Sequence, residues 1–149
     1  MPCDPPNQEW TIDALIDQQP VANTRRLIFC LSINGGSVTG AVRIRTSDLE
    51  VVHLSDVAGN HRVLTEVNSQ DPNRPATMMT LKFTWGSRKV VLTGNTFPVG
   101  PVNKFEGRFV AFNTFPDEES ARAESENANA LALPEPGDGD TGTGTGTQT

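Results

Sequence analysis

Apolar and polar residues alternate with a period of two over residues 26–45, on both sides of an Asn-Gly-Gly sequence at 34–36. Alternation of this kind is typical of β-strands that bury one face. Asn and Gly tolerate the positive φ angles that tight hairpin turns require. The inward residues of the first strand would be Leu27, Phe29, Leu31 and Ile33. The pattern therefore predicts a half-buried β-hairpin.

The same alternation predicts five further strands and almost no helix in the body of the chain. These strands cover residues 49–55, 61–67, 76–85, 89–95 and 104–112. A turn or a kink is expected at Gly59, and a turn is expected at Gly86-Ser87. Short strands separated by turn residues are typical of all-β folds. We predict an all-β domain of about seven or eight strands, arranged as a small antiparallel meander barrel or a barrel-like sandwich.

Glycine recurs inside the predicted strands. Gly40 and Gly107 each have an apolar residue two positions away on either side, on the same predicted face. A glycine within a strand marks a bulge, a sharp bend or a close approach of two backbones. Inward glycines favour a sheet that curls enough to close into a barrel. The alternative is that each glycine only makes room for a bulky neighbour.

Composition divides the chain into a polar N-terminal segment (1–24), an antiparallel β domain (25–115) and an acidic tail rich in Gly and Thr (116–149). The β domain has eleven basic and six acidic residues, whereas both flanking segments are acidic. Within the first segment, residues 10–16 could form one or two helical turns or a short strand. The tail ends in residues that cannot build a core, so we predict that it is disordered.

The two cysteines do not form a recognisable framework. Cys3 lies in a Pro-rich start, and Cys30 lies in an apolar run, where it is interpreted as a small buried side chain. The N-terminal residues have neither the basic nor the apolar region of a signal peptide. No apolar run approaches the length of a membrane-spanning helix. The default expectation is a cytoplasmic protein with no membrane partner, unless a signal was removed.

No catalytic or metal-binding motif stands out in the sequence. His53 and His61 are expected on adjacent strands, where Asp56 could join them, but their spacing is unlike that of a zinc site. Ser55 lies beside these residues in sequence, yet adjacent strand residues point to opposite faces, which argues against a catalytic triad. We therefore predict no catalytic residues, no metal site and no cofactor, and favour a non-enzyme.

Basic residues of the β domain are expected on outward faces or turns. They are Arg43, Arg45, Lys82, Arg88 and Lys89. Proteins that bind single-stranded nucleic acid interleave aromatic side chains with such residues. Here the aromatic residues alternate inward, so nucleic acid is not the expected partner.

A closed barrel of about eight strands leaves room either for side chains alone or for one small molecule. The aromatic residues expected to hold a ligand at the barrel mouth are Phe83, Trp85, Phe105 and Phe109. We therefore expect a non-enzymatic binding module for a small apolar or amphipathic ligand. One alternative is a structural or protein-interaction domain with a filled core, which could form homo-oligomers through strand edges or barrel faces. Another is an enzyme on the same barrel that uses His53 or Asp56.

Four short sequences resemble strand motifs of the avidin and streptavidin family of calycin-type barrels. They are GGSVTGAV (35–42), LKFTW (81–85), VLTGN (91–95) and KFEGRF (104–109). The resemblance implies an eight-stranded meander barrel. It also implies a polar ligand-binding loop, for which Asn34, Ser37 and Thr39 are the nearest counterparts. The chain has no tyrosine, and Phe105 stands where that family has a tryptophan, so the resemblance implies the barrel more than it implies biotin.

Overall fold

The computed structural model describes residues 3, 7–45, 50–63, 77–112, 136 and 139–148. Within these residues, eight strands form one closed barrel, in which each strand pairs antiparallel with the next and the last pairs with the first. The strands are β1 (Gln8–Ile16), β2 (Arg25–Asn34), β3 (Ser37–Arg45), β4 (Val51–Val63), β5 (Thr77–Trp85), β6 (Arg88–Val99), β7 (Val102–Phe112) and β8 (Thr141–Gln148). The predicted all-β fold and its meander barrel are confirmed.

Three connections are two-residue hairpin turns whose first central residue is a glycine at positive φ. These are Gly35 (φ 63°), Gly86 (φ 64°) and Gly100 (φ 58°). The paired residues that flank the turns are Asn34 and Ser37, Trp85 and Arg88, and Val99 and Val102. A positive φ at this position suits the right-handed twist of the flanking strands. The turns predicted at 34–36 and at Gly86-Ser87 are confirmed.

β4 is one strand over Val51–Val63, where the sequence predicted two strands separated by a turn. A β-bulge lies opposite the Val42–Arg43 step of β3 and leaves Leu54 as the extra residue. Gly59 lies inside the strand, where an added Cβ would be only 2.9 Å from the carbonyl carbon of Thr80 on β5. The predicted turn is wrong because this glycine permits a close backbone approach and does not reverse the chain.

The barrel is closed by two strands that lie outside the predicted β domain. β1 comes from the polar N-terminal segment, so the choice left open for residues 10–16 resolves to a strand. β8 comes from the predicted tail and pairs with β7 on one side and with β1 on the other. The prediction of disorder is therefore wrong for residues 141–148. Residues 116–135, 137, 138 and 149 of the tail lie outside the described residues.

The barrel interior is filled by one cluster of apolar side chains from β1 to β7. Its largest fully buried members are Phe29, Phe105, Ile12, Leu27, Leu31, Ile44, Met79, Leu81, Leu92, Val38, Val42 and Val90. β8 contributes only glycines to this side of the wall: Gly142 lies against the ring of Phe109, and Gly144 lies against Leu92. Eight strands enclose a space that side chains can just fill, and here they fill it.

Cys3 and Cys30 form a disulfide. Cys30 is half-buried on the outer face of β2, between the inward residues Phe29 and Leu31. The interpretation of Cys30 as a small buried side chain is wrong, because strand alternation turns it outward, where Cys3 reaches it. The disulfide ties the start of the chain to the outer wall of the barrel.

Candidate functional site

The hairpins define two ends of the barrel. The end at which β5 finishes and β6 begins is called the Trp85 end, and the end at which β2 finishes and β3 begins is called the Asn34 end. Nine-residue β5 runs from one end to the other, which is about 27 Å along the strand. Side chains at opposite ends therefore cannot contact one ligand of ordinary size.

The four aromatic residues predicted to hold a ligand do not all lie together. Trp85 and Phe109 are neighbours, with ring centroids 6.2 Å apart and ring planes inclined by 45°. Phe83 precedes Trp85 on the inward face of β5 and makes an edge-to-face contact with Phe29, at 5.4 Å between ring centroids. Phe105 lies about 13 Å along β7 from Phe109, in the opposite half of the barrel.

The two predicted polar ligand contacts, Asn34 and Ser37, lie at the far end of the barrel from Trp85. They pair with each other across the β2–β3 turn, and both are exposed. Asn34 Nδ2 donates a hydrogen bond to Ser32 Oγ at 3.5 Å. The structure therefore does not bring this pair together with the aromatic side chains of the Trp85 end.

Trp85 and Arg88 are cross-strand neighbours and the last inward-facing residues of β5 and β6 at their shared end. Trp85 is only 2% exposed, yet its Nε1 has no hydrogen-bond partner among the residues that the structure describes, and the buried Nε of Arg88 has none among them either. By contrast, Trp10 donates from Nε1 to Gln8 Oε1 at 3.1 Å. Buried donors without acceptors are rare in folded proteins and each one calls for an explanation.

Arg88 shares the inward face of β6 with Val90 and Leu92. Its expected position on an outward face or in a turn is therefore wrong. The spacing of two residues from Val90 is the signal that could have placed it correctly. Its Nη1 donates to Ser87 Oγ at 2.8 Å, which holds the guanidinium beside the turn. Arg45, the last residue of β3 at the same end, also has a buried Nε without a partner among the described residues, but it follows the inward Ile44 and so belongs to the outer face.

Exposed apolar side chains lie at both ends of the barrel. Val21, Val51 and Phe112 lie at the Trp85 end, and Val63, Val99 and Val102 lie at the Asn34 end. Apolar exposure therefore does not distinguish the ends. The buried hydrogen-bond donors that lack an acceptor do distinguish the two ends, because Trp85, Arg88 and Arg45 all lie at the Trp85 end.

Near the aromatic cluster, a side chain continues the hydrogen bonding between β4 and β5. The backbone pairing runs from Val63 to Ala58, opposite Lys82. Beyond it, the N–H of Thr84 donates to Ser55 Oγ at 2.9 Å, and Ser55 Oγ donates to the Asp56 carbonyl oxygen at 2.8 Å. The hydroxyl of Ser55 thus stabilises the wall and is not arranged as a nucleophile.

The two histidines do not approach each other. His53 is exposed on the outer face of β4 opposite Arg43, and His61 lies eight residues further along the same strand, about 26 Å away. Their expected placement on adjacent strands is wrong, because β4 continues through the predicted turn. In the part of the chain that the structure describes, no group of three or more His, Cys, Asp or Glu residues could hold a metal ion. No helix among these residues is long and apolar enough to cross a bilayer.

Asp17 joins β1, β7 and β8 at the Trp85 end of the outer wall. Its Oδ2 accepts a hydrogen bond from Thr141 Oγ1 at 2.6 Å and another from Arg108, and its N–H donates to the Thr141 carbonyl oxygen at 2.9 Å. The bond from Thr141, together with the bond and charge of Arg108, lowers the pKa of the Asp17 carboxyl below its ordinary value of 3.8. The ionised carboxylate therefore helps to hold β8 in place.

The Trp85 end offers a ligand apolar contacts together with hydrogen-bond donors that the described residues leave unused. Comparisons of the chain with protein-family models, with curated protein sequences and with solved structures find no match. The function of the chain is therefore inferred from the geometry of the Trp85 end of the barrel.

Proposed function

We propose that this protein is a non-enzymatic binding module that holds a small amphipathic molecule at the Trp85 end of its barrel. One observation carries the proposal: the aromatic side chains of Phe83, Trp85 and Phe109 reach this end beside buried donors that have no partner. The apolar part of a ligand would contact the rings of Trp85 and Phe109, the inward aromatic side chains at this end. A few polar groups within an apolar surface are typical of small-molecule sites.

The ligand would lie at the mouth and not in the interior. Met79, Leu81 and Phe105 are at most 1% exposed, so no room for a ligand tail remains beside them. Phe105 is therefore not part of the proposed site, and neither are Asn34 and Ser37 at the far end. Trp85 is nearly covered as well, so binding includes a movement of the half-buried Arg88 side chain beside it.

A second candidate is a structural or protein-interaction domain, and the filled interior favours it. Closure of the ring pairs β1 with β8, so association of copies would use outer faces or barrel ends and not the edges of an open sheet. This candidate differs from the first in one respect that can be measured, since it requires no small molecule at the Trp85 end. The avidin-like resemblance also stays a prediction, for which the eight-stranded meander supports only the architecture.

A titration with decanol, followed by amide chemical shifts, tests the binding module. Decanol has an apolar chain and one uncharged polar group, so we expect it to shift amide signals near Trp85, Phe109 and Phe112. Val99 and Val102 provide the internal control, because they are apolar and exposed at the opposite end. Equal shifts at both ends, or none at the Trp85 end, would favour the structural candidate. Native mass spectrometry of protein from its own host adds a search for a retained molecule.

We also propose that the chain folds in an oxidising compartment and not in the cytoplasm, the default expected from its sequence. The Cys3–Cys30 disulfide supports this, because structural disulfides are rare where thiols are kept reduced. Both cysteines of the chain take part in it. Alkylation of protein isolated from its host should modify neither cysteine until a reductant is added. Modification of both cysteines without reductant would contradict the proposal.

A further inference from the structure

Trp85 and Arg88 form a pair of donors at one point of the barrel rim. They flank a two-residue turn and lie opposite each other in the β5–β6 ladder, so their Cα atoms are about 5 Å apart. Both side chains leave the same face of the sheet, the face that lines the interior. One oxygen-bearing group at the mouth could therefore accept from both of them.

The chemistry of the pair restricts what that group can be. An indole N–H and a guanidinium can only donate hydrogen bonds, and the guanidinium is always charged. A second donor at this place would leave both unsatisfied, whereas an oxyanion satisfies both and neutralises the charge. The carboxylate of Asp17 at this end of the barrel lies on the outer wall, where it is already bonded to Thr141 and Arg108.

We propose that the ligand of the Trp85 end is an amphipathic anion, whose carboxylate or phosphate oxygens accept hydrogen bonds from Trp85 Nε1 and Arg88 Nε. This inference rests on the proposed function and narrows its ligand to one chemical class. The apolar part of the anion lies against the rings of Trp85 and Phe109, and its charged group lies beside the β5–β6 turn. The bond from Arg88 Nη1 to Ser87 Oγ keeps the guanidinium beside the turn, so a small movement of this side chain brings Nε to that group.

The two tryptophans allow a direct test by indole N–H signals in ¹H–¹⁵N spectra. Decanoate should move the Trp85 indole signal and leave the Trp10 signal in place, because Trp10 already donates to Gln8. Decanoate should bind at least about tenfold more tightly than decanol, since hydrogen bonds to charged groups are the stronger ones. A parallel titration with decyl phosphate compares a phosphate headgroup with the carboxylate of decanoate. The proposal is supported if either anion binds more tightly than decanol.

A matched pair of variants separates the site from general attraction of anions. Arg88→Gln should remove the preference for decanoate over decanol, whereas Lys89→Gln removes the same charge from the next residue and should leave the preference unchanged. Trp85→Phe keeps an aromatic ring, loses the donor and should weaken decanoate binding without affecting decanol.

Three results would overturn the anion proposal. Equal affinity for decanoate and decanol would refute it and leave the binding module standing. If Arg88→Gln and Lys89→Gln reduce the preference for decanoate over decanol equally, that preference arises from net charge alone. Binding of neither compound at the Trp85 end would refute the anion and the binding module together.

Discussion

Phe109 lies directly over Gly142 of the neighbouring strand, so closely that a Cβ on this glycine would overlap the aromatic ring. The same relation recurs at Gly107, where an added Cβ would be 2.7 Å from the Cα of Gly94 and 2.9 Å from the ring of Phe105. Each glycine therefore provides space for an aromatic ring or for a neighbouring backbone. A large side chain on one strand thus fills the space that a glycine on the next strand leaves open.

Gly142→Ala should lower the free energy of unfolding by about 1–3 kcal/mol, which is typical of an overpacked core. The cost arises because the added Cβ would overlap the ring of Phe109, which is only 4% exposed, and also the backbone carbonyl oxygen of Leu15 on β1. Urea denaturation measures it. Gly36→Ala is the matched control, since its Cβ would be 3.6 Å from the His61 carbonyl oxygen, an ordinary contact.

The Gly142–Phe109 contact can be isolated by a double-mutant cycle. Phe109→Leu removes the overlapping ring, so Gly142→Ala should cost clearly less in that background than in the native protein. If Gly142→Ala lowers the free energy of unfolding equally in both backgrounds, the ring of Phe109 is not the group that the added Cβ overlaps.

For single residues, the sequence predicts the face of the sheet that a side chain occupies when that side chain is large and apolar. Leu27, Phe29 and Phe83 are inward as expected, because apolar residues two apart share a face. Arg88 faces inward although charged residues beside a turn are expected to face outward, and only its spacing of two residues from Val90 indicates this placement. The mutual contact of Trp85 and Phe109 depends on how β5 and β7 curve round the barrel, which residue spacing does not specify.

β8 is an element built almost entirely from backbone pairing. Its glycines face the interior, its threonines face outward, and its ladders run along both β7 and β1. Composition indicated disorder because glycine supplies no apolar surface of its own. The apolar surface comes from Ile12, Leu92 and Phe109 on other strands. Strict Thr/Gly alternation was the signal for a strand, since threonine favours strands and the period is two.

Deletion of residues 141–149 should open the ring and leave β1 and β7 with unpaired edges. Exposed edges promote association, so the truncated chain should form oligomers or aggregates in light-scattering measurements. A synthetic peptide of residues 141–149 should restore the monomer by pairing with both edges. A truncated chain that stays monomeric and keeps the native hydrogen-exchange protection of β1 would show that β8 is dispensable.

Asp17 should make the attachment of β8 sensitive to acid. Its pKa is lowered in the folded state, so its stabilising effect is complete above the ordinary value of 3.8 and is lost as the pH falls through the folded-state pKa. Asp17→Asn should therefore lower the Tm at pH 7, with a difference from the native protein that shrinks on acidification. A difference that is constant from pH 7 to the acid limit would rule out the ionised carboxylate as the cause.

The whole molecule is a closed β-barrel with a filled interior, and one disulfide ties the first residues of the chain to its outer wall. The β-meander could be predicted because consecutive hairpins leave few other arrangements for strands joined by short turns. Closure was predicted from the inward glycines, but the strands that close the ring could not be, because they come from residues 8–16 and 141–148, far apart in the sequence. The filling of the interior likewise depends on all eight strands together, so sequence alone left a hollow and a filled barrel open.

Reduction of the Cys3–Cys30 disulfide should destabilise the protein by about 3.5 kcal/mol, on the chain-entropy estimate for cysteines 27 residues apart. Urea denaturation with and without reductant measures the effect. A variant with both cysteines replaced by serine should match the reduced protein and be indifferent to reductant. Equal stability of the oxidised and reduced proteins would mean that the disulfide does not constrain the unfolded chain.

The most direct test of the account is whether the Thr/Gly strand lies between the first and seventh strands. Nuclear Overhauser effects across strands measure this in solution. We predict contacts from the backbone protons of Gly144 to those of Ala14 on one side and of Gly107 on the other. Random-coil shifts for residues 141–148, with contacts to neither strand, would contradict the closed barrel and with it the mouth on which the proposed function depends.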